Sequence, residues 1–192
     1  MSRFDVVAVG NALVDVLSYE DDEFVVRTEV ERGAMTMVDA ARSEEIYAEM
    51  GPATEVSGGS AANTAAGLAS FGGRAAYIGR VADDTFGKVF THDLRSLGVH
   101  FDSPLATDGT PTGRCLIIVT PDAQRTMLTH LGISATLSPA DIPAAEIQKA
   151  KYLYVEGYLF PGESTRAAAL RAISPSMRHI TNTLGRVDVM FT

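Results

Sequence analysis

The segment best suited to ligand binding is residues 58–63 (GGSAAN), where two glycines precede a run typical of a helix. Glycines let a ligand approach the backbone, and the first N–H groups of a helix are free to donate hydrogen bonds. Binding of a polar ligand and a close-packed turn between strand and helix both explain this spacing. The segment is neither a Walker phosphate loop, because no Lys-Ser or Lys-Thr pair follows, nor a dinucleotide fingerprint, because the third glycine and the spacing are wrong.

A second candidate follows the first strand, at residues 10–15 (GNALVD). Ligands of open α/β sheets bind beyond the carboxyl ends of the strands, so Asn11 and Asp15 stand where side chains reach a ligand. An amide and a carboxylate together donate to and accept from neighbouring hydroxyls, as a sugar or nucleoside requires. The alternative, in which Asn11 shapes a turn and Asp15 is solvated, stays open for this motif alone.

The elements that must position these residues alternate along the chain. Valine-rich or apolar runs predict strands at 4–9, 53–57, 74–81 and 151–160. Capping residues and helical spacing predict helices at 39–50, 60–71, 86–98 and 138–150. This alternation predicts a parallel sheet with helical crossovers.

A β-rich insertion interrupts the alternation. Two β-like runs within 99–130 are joined by a turn-forming stretch at 120–123, which predicts a hairpin. Shorter runs at 14–19 and 33–38 flank the acidic residues 20–23, which we expect on a solvated loop or edge. The sequence therefore predicts one α/β body that carries a small β-rich insertion.

Composition excludes several classes of protein. The net charge is −8 and the chain has only three lysines, so a nucleic-acid partner is not expected. Cys115 is the only cysteine, which excludes an intramolecular disulfide and a multi-cysteine zinc site and favours a reducing compartment. The apolar N-terminal run is interrupted too soon for a signal peptide or membrane span, so we expect a cytoplasmic protein.

Five segments together resemble the PfkB-type carbohydrate kinase family, which includes ribokinase and adenosine kinase. They lie in the family's order and cover roughly residues 4–160: GNALVD at 10–15, SGGSAANTAAGLASFGG at 57–73, YIGRVADDTFG at 77–87, PDAQRT at 121–126 and YLYVEGY at 152–158. The opening segment, the glycine–alanine–asparagine segment and EGY are most similar to the bacterial adenosine-kinase-like branch.

This resemblance implies a three-layer α/β/α fold with a mostly parallel central sheet and a β-sheet lid, its segments at about 14–38 and 99–130. The implied reaction transfers the γ-phosphate of ATP to a primary hydroxyl of a sugar or nucleoside, with Mg²⁺ present. The implied partner is therefore a small molecule, and an exposed lid or sheet edge would also allow a homodimer.

The resemblance also implies roles for individual residues. Asp15 would hold the sugar hydroxyls, Gly58 and Gly59 would let the sugar lie close to the backbone, and Asn63 would hydrogen-bond it. Further contacts are implied for these residues: Asn11, Glu156 and, from the lid hairpin, Arg125. Glu156 would alternatively organise the metal and phosphate region through water.

The family's catalytic segment is absent from this sequence. The family places its base in a late Gly-Ala-Gly-Asp segment at a helix N-terminus, and no such segment occurs here. We assign neither Asp188, which lacks the glycines, nor any other residue as the base or a metal ligand. We therefore expect residues 1–192 to be an N-terminal part of the domain, truncated before the ATP site.

The tail at 173–192 is atypical, because helical periodicity fades after Ala172 and Ser, Thr and Arg become frequent. A frameshift, deletion or misplaced stop near 170–175 and a natural divergent terminus both account for it. Two functions remain in competition: a sugar or nucleoside kinase by descent, and a catalytically inactive fragment that keeps part of the substrate site. A dinucleotide-binding oxidoreductase is disfavoured by the missing GxGxxG pattern.

The missing base predicts that the 192-residue chain phosphorylates neither adenosine nor ribose above background, because phosphoryl transfer needs a base and positioned phosphates. A coupled assay with ATP and each acceptor measures this. Robust turnover that disappears in Asp15→Ala would contradict the expectation.

Overall fold

A parallel sheet forms the centre of the protein. The structure, a computed structural model, describes residues 3–180 and 189–191. The strands of the central sheet lie in the order β5-β1-β8-β9 and all pair in parallel. Their bounds are β1 Phe4–Val9, β5 Ala75–Ile78, β8 Ala150–Val155 and β9 Val189–Phe191.

Helices cover both faces of the central sheet. On one face, α3 (Ser60–Ser70) packs against β1 and β5. On the other, α5 (Ala144–Ile147) and α6 (Glu163–Ile180) pack against β8. All four residues of β5 are buried, as expected for a parallel strand covered on both sides. The predicted three-layer arrangement is therefore confirmed.

A second, five-stranded sheet forms the lid, with the order β3-β7-β6-β2-β4. Its strands are β2 Leu13–Tyr19, β3 Met35–Met37, β4 Ala53–Gly58, β6 Gly113–Val119 and β7 Arg125–His130. β6 and β7 form the predicted antiparallel hairpin. Alternation along the sequence wrongly grouped 53–57 with the central sheet, since β4 pairs antiparallel with β2 and half of its residues are exposed.

The two faces of the lid sheet differ in burial. One face carries fully buried aliphatic residues, among them Val14, Val16 and Leu116. This face packs into a core shared with residues of α1 (Asp22–Arg27), α2 (Ala40–Glu49) and α4 (Thr85–Ser96). We call the opposite face, which carries Asp15 and its register partners Cys115 and Val56, the open lid face. Asp15 thus lies outside the lid's core.

Three local predictions need correction. Residues 20–23 lead into α1 instead of forming only a loop, because Asp21 accepts a hydrogen bond from the Phe24 N–H at 2.8 Å and caps the helix. The helix predicted at 138–150 is divided into a 3-10 helix at Pro139–Asp141 and the short α5. Pro143 disfavours helical geometry in the residue before it and lacks an N–H donor, which explains the break.

The strand predicted at 151–160 ends at Val155, and a 3-10 helix follows at Gly157–Leu159. Further on, α6 continues through Ile180, beyond the point where helical periodicity fades in the sequence. Asp188 and the rest of 181–188 lie outside the described residues. Along the described part of the chain, no helix is both long and apolar enough to cross a membrane.

Asp84 links the start of α4 to Thr112, the residue before β6. Its Oδ1 accepts hydrogen bonds from the Gly87 N–H and the Thr112 hydroxyl, both at 2.7 Å, and its Oδ2 accepts from the Thr112 N–H at 2.8 Å. The Thr112 hydroxyl in turn accepts from the Ala82 N–H at 2.9 Å. Asp84 therefore caps α4 and fixes the start of β6 at once.

We expect Asp84→Ala to lower the free energy of unfolding by about 2 to 4 kcal/mol, because it removes a helix cap and leaves the N–H of buried Thr112 without an acceptor. Urea denaturation measures the change. Asp83→Ala is the matched control, since Asp83 makes only an exposed ion pair with Lys88 at 3.4 Å through its side chain. Equal losses in the two variants would contradict this role of Asp84.

Candidate functional site

The candidate site lies where the chain crosses between the central sheet and the lid. The first crossing joins β1 to β2 through residues 10–12, and the second joins β4 to α3 through Gly59. Glu156 follows β8 directly, so it lies beside the carboxyl end of β1 in the parallel sheet. The structure thereby brings Asn11 and Glu156, 145 residues apart in the chain, into contact.

Glu156 is 2% exposed, and both of its carboxylate oxygens accept hydrogen bonds from the chain. Oε1 accepts from Asn11 Nδ2 at 2.9 Å and from the Asn11 N–H at 3.5 Å, and Oε2 accepts from the Ala61 N–H at 3.2 Å. Ala61 lies in the first turn of α3, where Gly59 offers no side-chain cap. The carboxylate therefore supplies the missing cap and a favourable charge at the helix N-terminus.

Two further residues extend this contact. Asn11, itself 2% exposed, has its Oδ1 3.3 Å from the Ser134 hydroxyl, whose single proton is shared with the Leu131 carbonyl at 2.6 Å. The Tyr77 hydroxyl donates to the Gly10 carbonyl at 2.9 Å. Burial raises the pKa of Tyr77 well above its ordinary value, and the Glu156 carboxylate adds to the shift, so Tyr77 stays protonated as a donor.

The glycines of both motifs are required by close packing. A Cβ at Gly10 would overlap the Glu156 carboxylate, and a Cβ at Gly58 would overlap the Asp15 carboxyl. Gly59 adopts φ +94°, and a Cβ there would lie 2.5 Å from the Asn11 carbonyl oxygen. The close-packed turn that the sequence left open is therefore present, and it makes room for the side chain of Asp15.

Asp15 lies on the open lid face, partly buried beside Gly58. Burial raises the pKa of Asp15 to about 6, against an opposing effect of the Arg125 guanidinium. Arg125 itself is exposed at the start of β7. A carboxyl group in this position, with a cation in electrostatic range, is suited to hydrogen bonding with hydroxyl groups.

Asn63 is the predicted site residue that the structure leaves on its own. It is exposed on α3, and its N–H donates to the Gly59 carbonyl at 2.9 Å. The structure thus forms two groups, one of Asn11 with Glu156 and one of Asp15 with Gly58, while Asn63 extends from the helix beside them. Roles in substrate binding remain predictions for all seven residues named from the sequence.

Sequence reasoning missed Ser134 and Tyr77. Tyr77 opens one of the recognised segments, but its partner is a backbone carbonyl, which no pattern of side chains reveals. Ser134 lies in a 3-10 helix after the lid hairpin, in a stretch without a motif. Only the three-dimensional crossing of the chain places it beside Asn11.

A metal ion needs several donor side chains close together, and the candidates are the described His, Cys, Asp and Glu residues. Among them, no group of three or more His, Cys, Asp and Glu side chains could hold a metal ion. The carboxylate oxygens of Glu156 already accept hydrogen bonds from the chain. The described residues therefore provide no preformed cluster of three ligands for a metal ion.

Because the pKa of Asp15 is near 6 in the fold and 3.8 ordinarily, the folded state binds more protons between these values. Ionisation of Asp15 therefore costs stability as the pH rises through 6. We expect Asp15→Asn to be more stable than the native chain at about pH 7.5, by about 3 kcal/mol at most, and the difference to vanish below about pH 4. Chemical denaturation across this range measures it.

Asp122→Asn is the matched control, with an effect of opposite sign. Hydrogen bonds from Thr120 and Arg32 lower the pKa of Asp122 to about 2, so its charge favours folding above its ordinary pKa. Parallel pH profiles for the native chain and Asp15→Asn would contradict the account of Asp15.

Solved structures with the same fold cover nearly the whole chain. A probable sugar kinase protein from Rhizobium etli CFN 42 has a TM-score of 0.90 and 43% identity, covering 100% of this chain and 56% of its own. The adenosine kinase from Sinorhizobium meliloti has a TM-score of 0.89 and 43% identity, covering 99% of this chain and 56% of its own. These likenesses confirm the ribokinase-like fold.

Among curated proteins, the 5-dehydro-2-deoxygluconokinase of Shouchella clausii is 28% identical over 176 residues, which are 90% of this chain and 47% of that protein. The chain thus spans about half the length of the relatives it matches. The model of the pfkB family carbohydrate kinases matches residues 5–187. This chain belongs to the pfkB family of carbohydrate kinases.

Proposed function

We propose that the whole protein transfers the γ-phosphate of ATP to a primary hydroxyl of a sugar or nucleoside, and that this chain carries the acceptor-binding side. Membership of a kinase family implies the use of ATP. The observation that carries the proposal is the Asp15 carboxyl, which lies over Gly58 on the open lid face within the field of Arg125.

Adenosine or a related ribose compound is the acceptor that we favour. Both solved relatives at 43% identity are kinases, one described as an adenosine kinase and the other as a probable sugar kinase. The curated relative at 28% identity acts on a sugar acid derivative by its name. These acceptors share neighbouring hydroxyl groups, which match a carboxyl group such as that of Asp15.

The proposed contacts divide the site residues by exposure. Asp15 accepts hydrogen bonds from the acceptor's hydroxyls, Asn63 donates to or accepts from it, and Arg125 approaches it from the lid. Gly58 and Gly59 give the backbone surface beside which the acceptor lies. Asn11 is a proposed contact only where the acceptor reaches the crossing itself, and Glu156, buried with it, is left out of the proposed contacts.

The base and the sites for ATP and Mg²⁺ are proposed for the whole protein. The sequence contains no Gly-Ala-Gly-Asp segment, and the chain spans about half the length of its relatives. These observations favour the second candidate function for the polypeptide on its own, an inactive fragment that binds the acceptor.

We also propose a second copy of this chain as a partner and the cytoplasm as its location. Exposed side chains on the lid support a homodimer, since Tyr19, Met35, Met37 and Val56 are each more than two-fifths exposed. The edge strands β3 and β4 of the lid sheet leave backbone groups for pairing. The lone buried Cys115 agrees with a reducing compartment.

The proposal predicts that the chain binds adenosine and that Asp15→Ala weakens this binding roughly tenfold to a hundredfold, the effect of losing a hydrogen bond to a charged group. Isothermal titration with adenosine, and with ribose for comparison, measures both dissociation constants. Asp122→Ala is the control, because that carboxylate pairs with Arg32 at 2.8 Å in the lid turn.

Two results would overturn the proposal. One is a native chain that binds neither compound. The other is an Asp15→Ala chain that binds as tightly as the native one.

A further inference from the structure

We infer that Glu156 is a positioning residue that fixes the lid sheet relative to the central sheet and does not touch the acceptor. The inference deepens the proposed function and rests on it for the effect on acceptor binding. The lid position itself is a property of the chain alone, so it can be measured whether or not an acceptor binds.

The described residues cross between body and lid four times, and Glu156 bonds two of these crossings directly. Its carboxylate bonds Asn11 in the first crossing and Ala61 at the end of the second. The Oδ1 atom of Asn11 lies within hydrogen-bond distance of Ser134, which follows β7 in the last crossing. The N–H of Ile133 donates to the Pro111 carbonyl at 2.8 Å, which ties that crossing to the one leading into β6.

Burial restricts Glu156 to this role. Its side chain has no exposed face for a ligand, because Gly10 and Ala61 pack directly against it. A buried carboxylate keeps its charge at acceptable cost only if donors surround it, and here the donors come from segments that lead into the lid. Replacing one carboxylate oxygen by an NH2 group, as in Glu156→Gln, would set a donor against either the Asn11 amide or the Ala61 N–H.

The fixed crossing sets the distance between the two halves of the candidate site. Asp15 belongs to the lid, four residues beyond Asn11, whereas Asn63 belongs to α3 of the body, two residues beyond Ala61. Both segments are hydrogen-bonded to Glu156, one through Asn11 and the other through Ala61. A shift of either crossing therefore separates Asp15 from Asn63 even when both side chains are intact.

The test measures the lid position directly. Spin labels are placed at Val26→Cys on α1 of the lid layer (77% exposed) and Phe71→Cys at the end of α3 (91% exposed), in a Cys115→Ala background. Pulsed dipolar spectroscopy gives the distance distribution between them. We expect Glu156→Gln to shift the mean distance or at least double the width, and Glu156→Asp, which keeps the charge, to change it less.

A matched control separates this effect from general loosening of the core. Thr165 is as deeply buried as Glu156 and its hydroxyl donates to the Leu159 carbonyl at 2.6 Å, away from the crossings. We expect Thr165→Val to leave the distribution unchanged. If Glu156→Gln does not fold, Ser134→Ala, which removes the hydroxyl's contacts with Asn11 and with the Leu131 carbonyl, decides the same question by the same measurement.

Acceptor binding distinguishes the possible failures. We expect Glu156→Gln to weaken adenosine binding in parallel with the altered distance distribution. Weaker binding with a native distribution would overturn the inference and make Glu156 an acceptor contact. A native chain that does not bind adenosine would refute the proposed function, and the distance distribution would still confirm or overturn the positioning role. An unchanged distribution in Glu156→Gln, or in Ser134→Ala where only that variant folds, overturns it.

Discussion

A buried carboxylate that must be surrounded by donors is the constraint on which the rest of the structure depends. Glu156 is withdrawn from water, and desolvation of a charge is costly unless hydrogen bonds replace the lost hydration. Its donors come from the β1–β2 crossing and from the start of α3. That requirement also determines the glycine at position 10, where any side chain would displace the carboxylate.

The surroundings of Asp15 on the open lid face are the opposite of those of Glu156. Asp15 and its register partner Cys115 both lie in surroundings that disfavour an anion. Burial raises the pKa of Asp15 to about 6 and that of Cys115 to about 11, and in Cys115 the Asp15 charge adds to the effect while the Thr129 hydroxyl opposes it. A ligand whose hydroxyl groups donate hydrogen bonds to Asp15 would stabilise the ionised form of its carboxyl group.

Local signals in the sequence predict the helices and strands, whereas long-range pairing determines which sheet each strand joins. The caps Asp39 and Asp84 and the apolar spacing of α4 locate two helices correctly, because these interactions span only a few residues. The partner of β4 was not predictable in this way, since a strand before a helix occurs in both the parallel sheet and the lid. Pro143 was visible in the sequence, but its effect on the helix before it was underestimated.

The same distinction explains how far the site could be predicted. The glycine motif indicated a close approach of backbone, which is correct, but the approaching groups are Asn11 and Asp15 of the chain itself. Asn11 and Glu156 are also hydrogen-bonded to each other. Residues committed to holding the crossing can be shared by kinases with different acceptors. Under the proposed function, we therefore expect discrimination between acceptors to come from exposed groups such as Asn63 and Arg125.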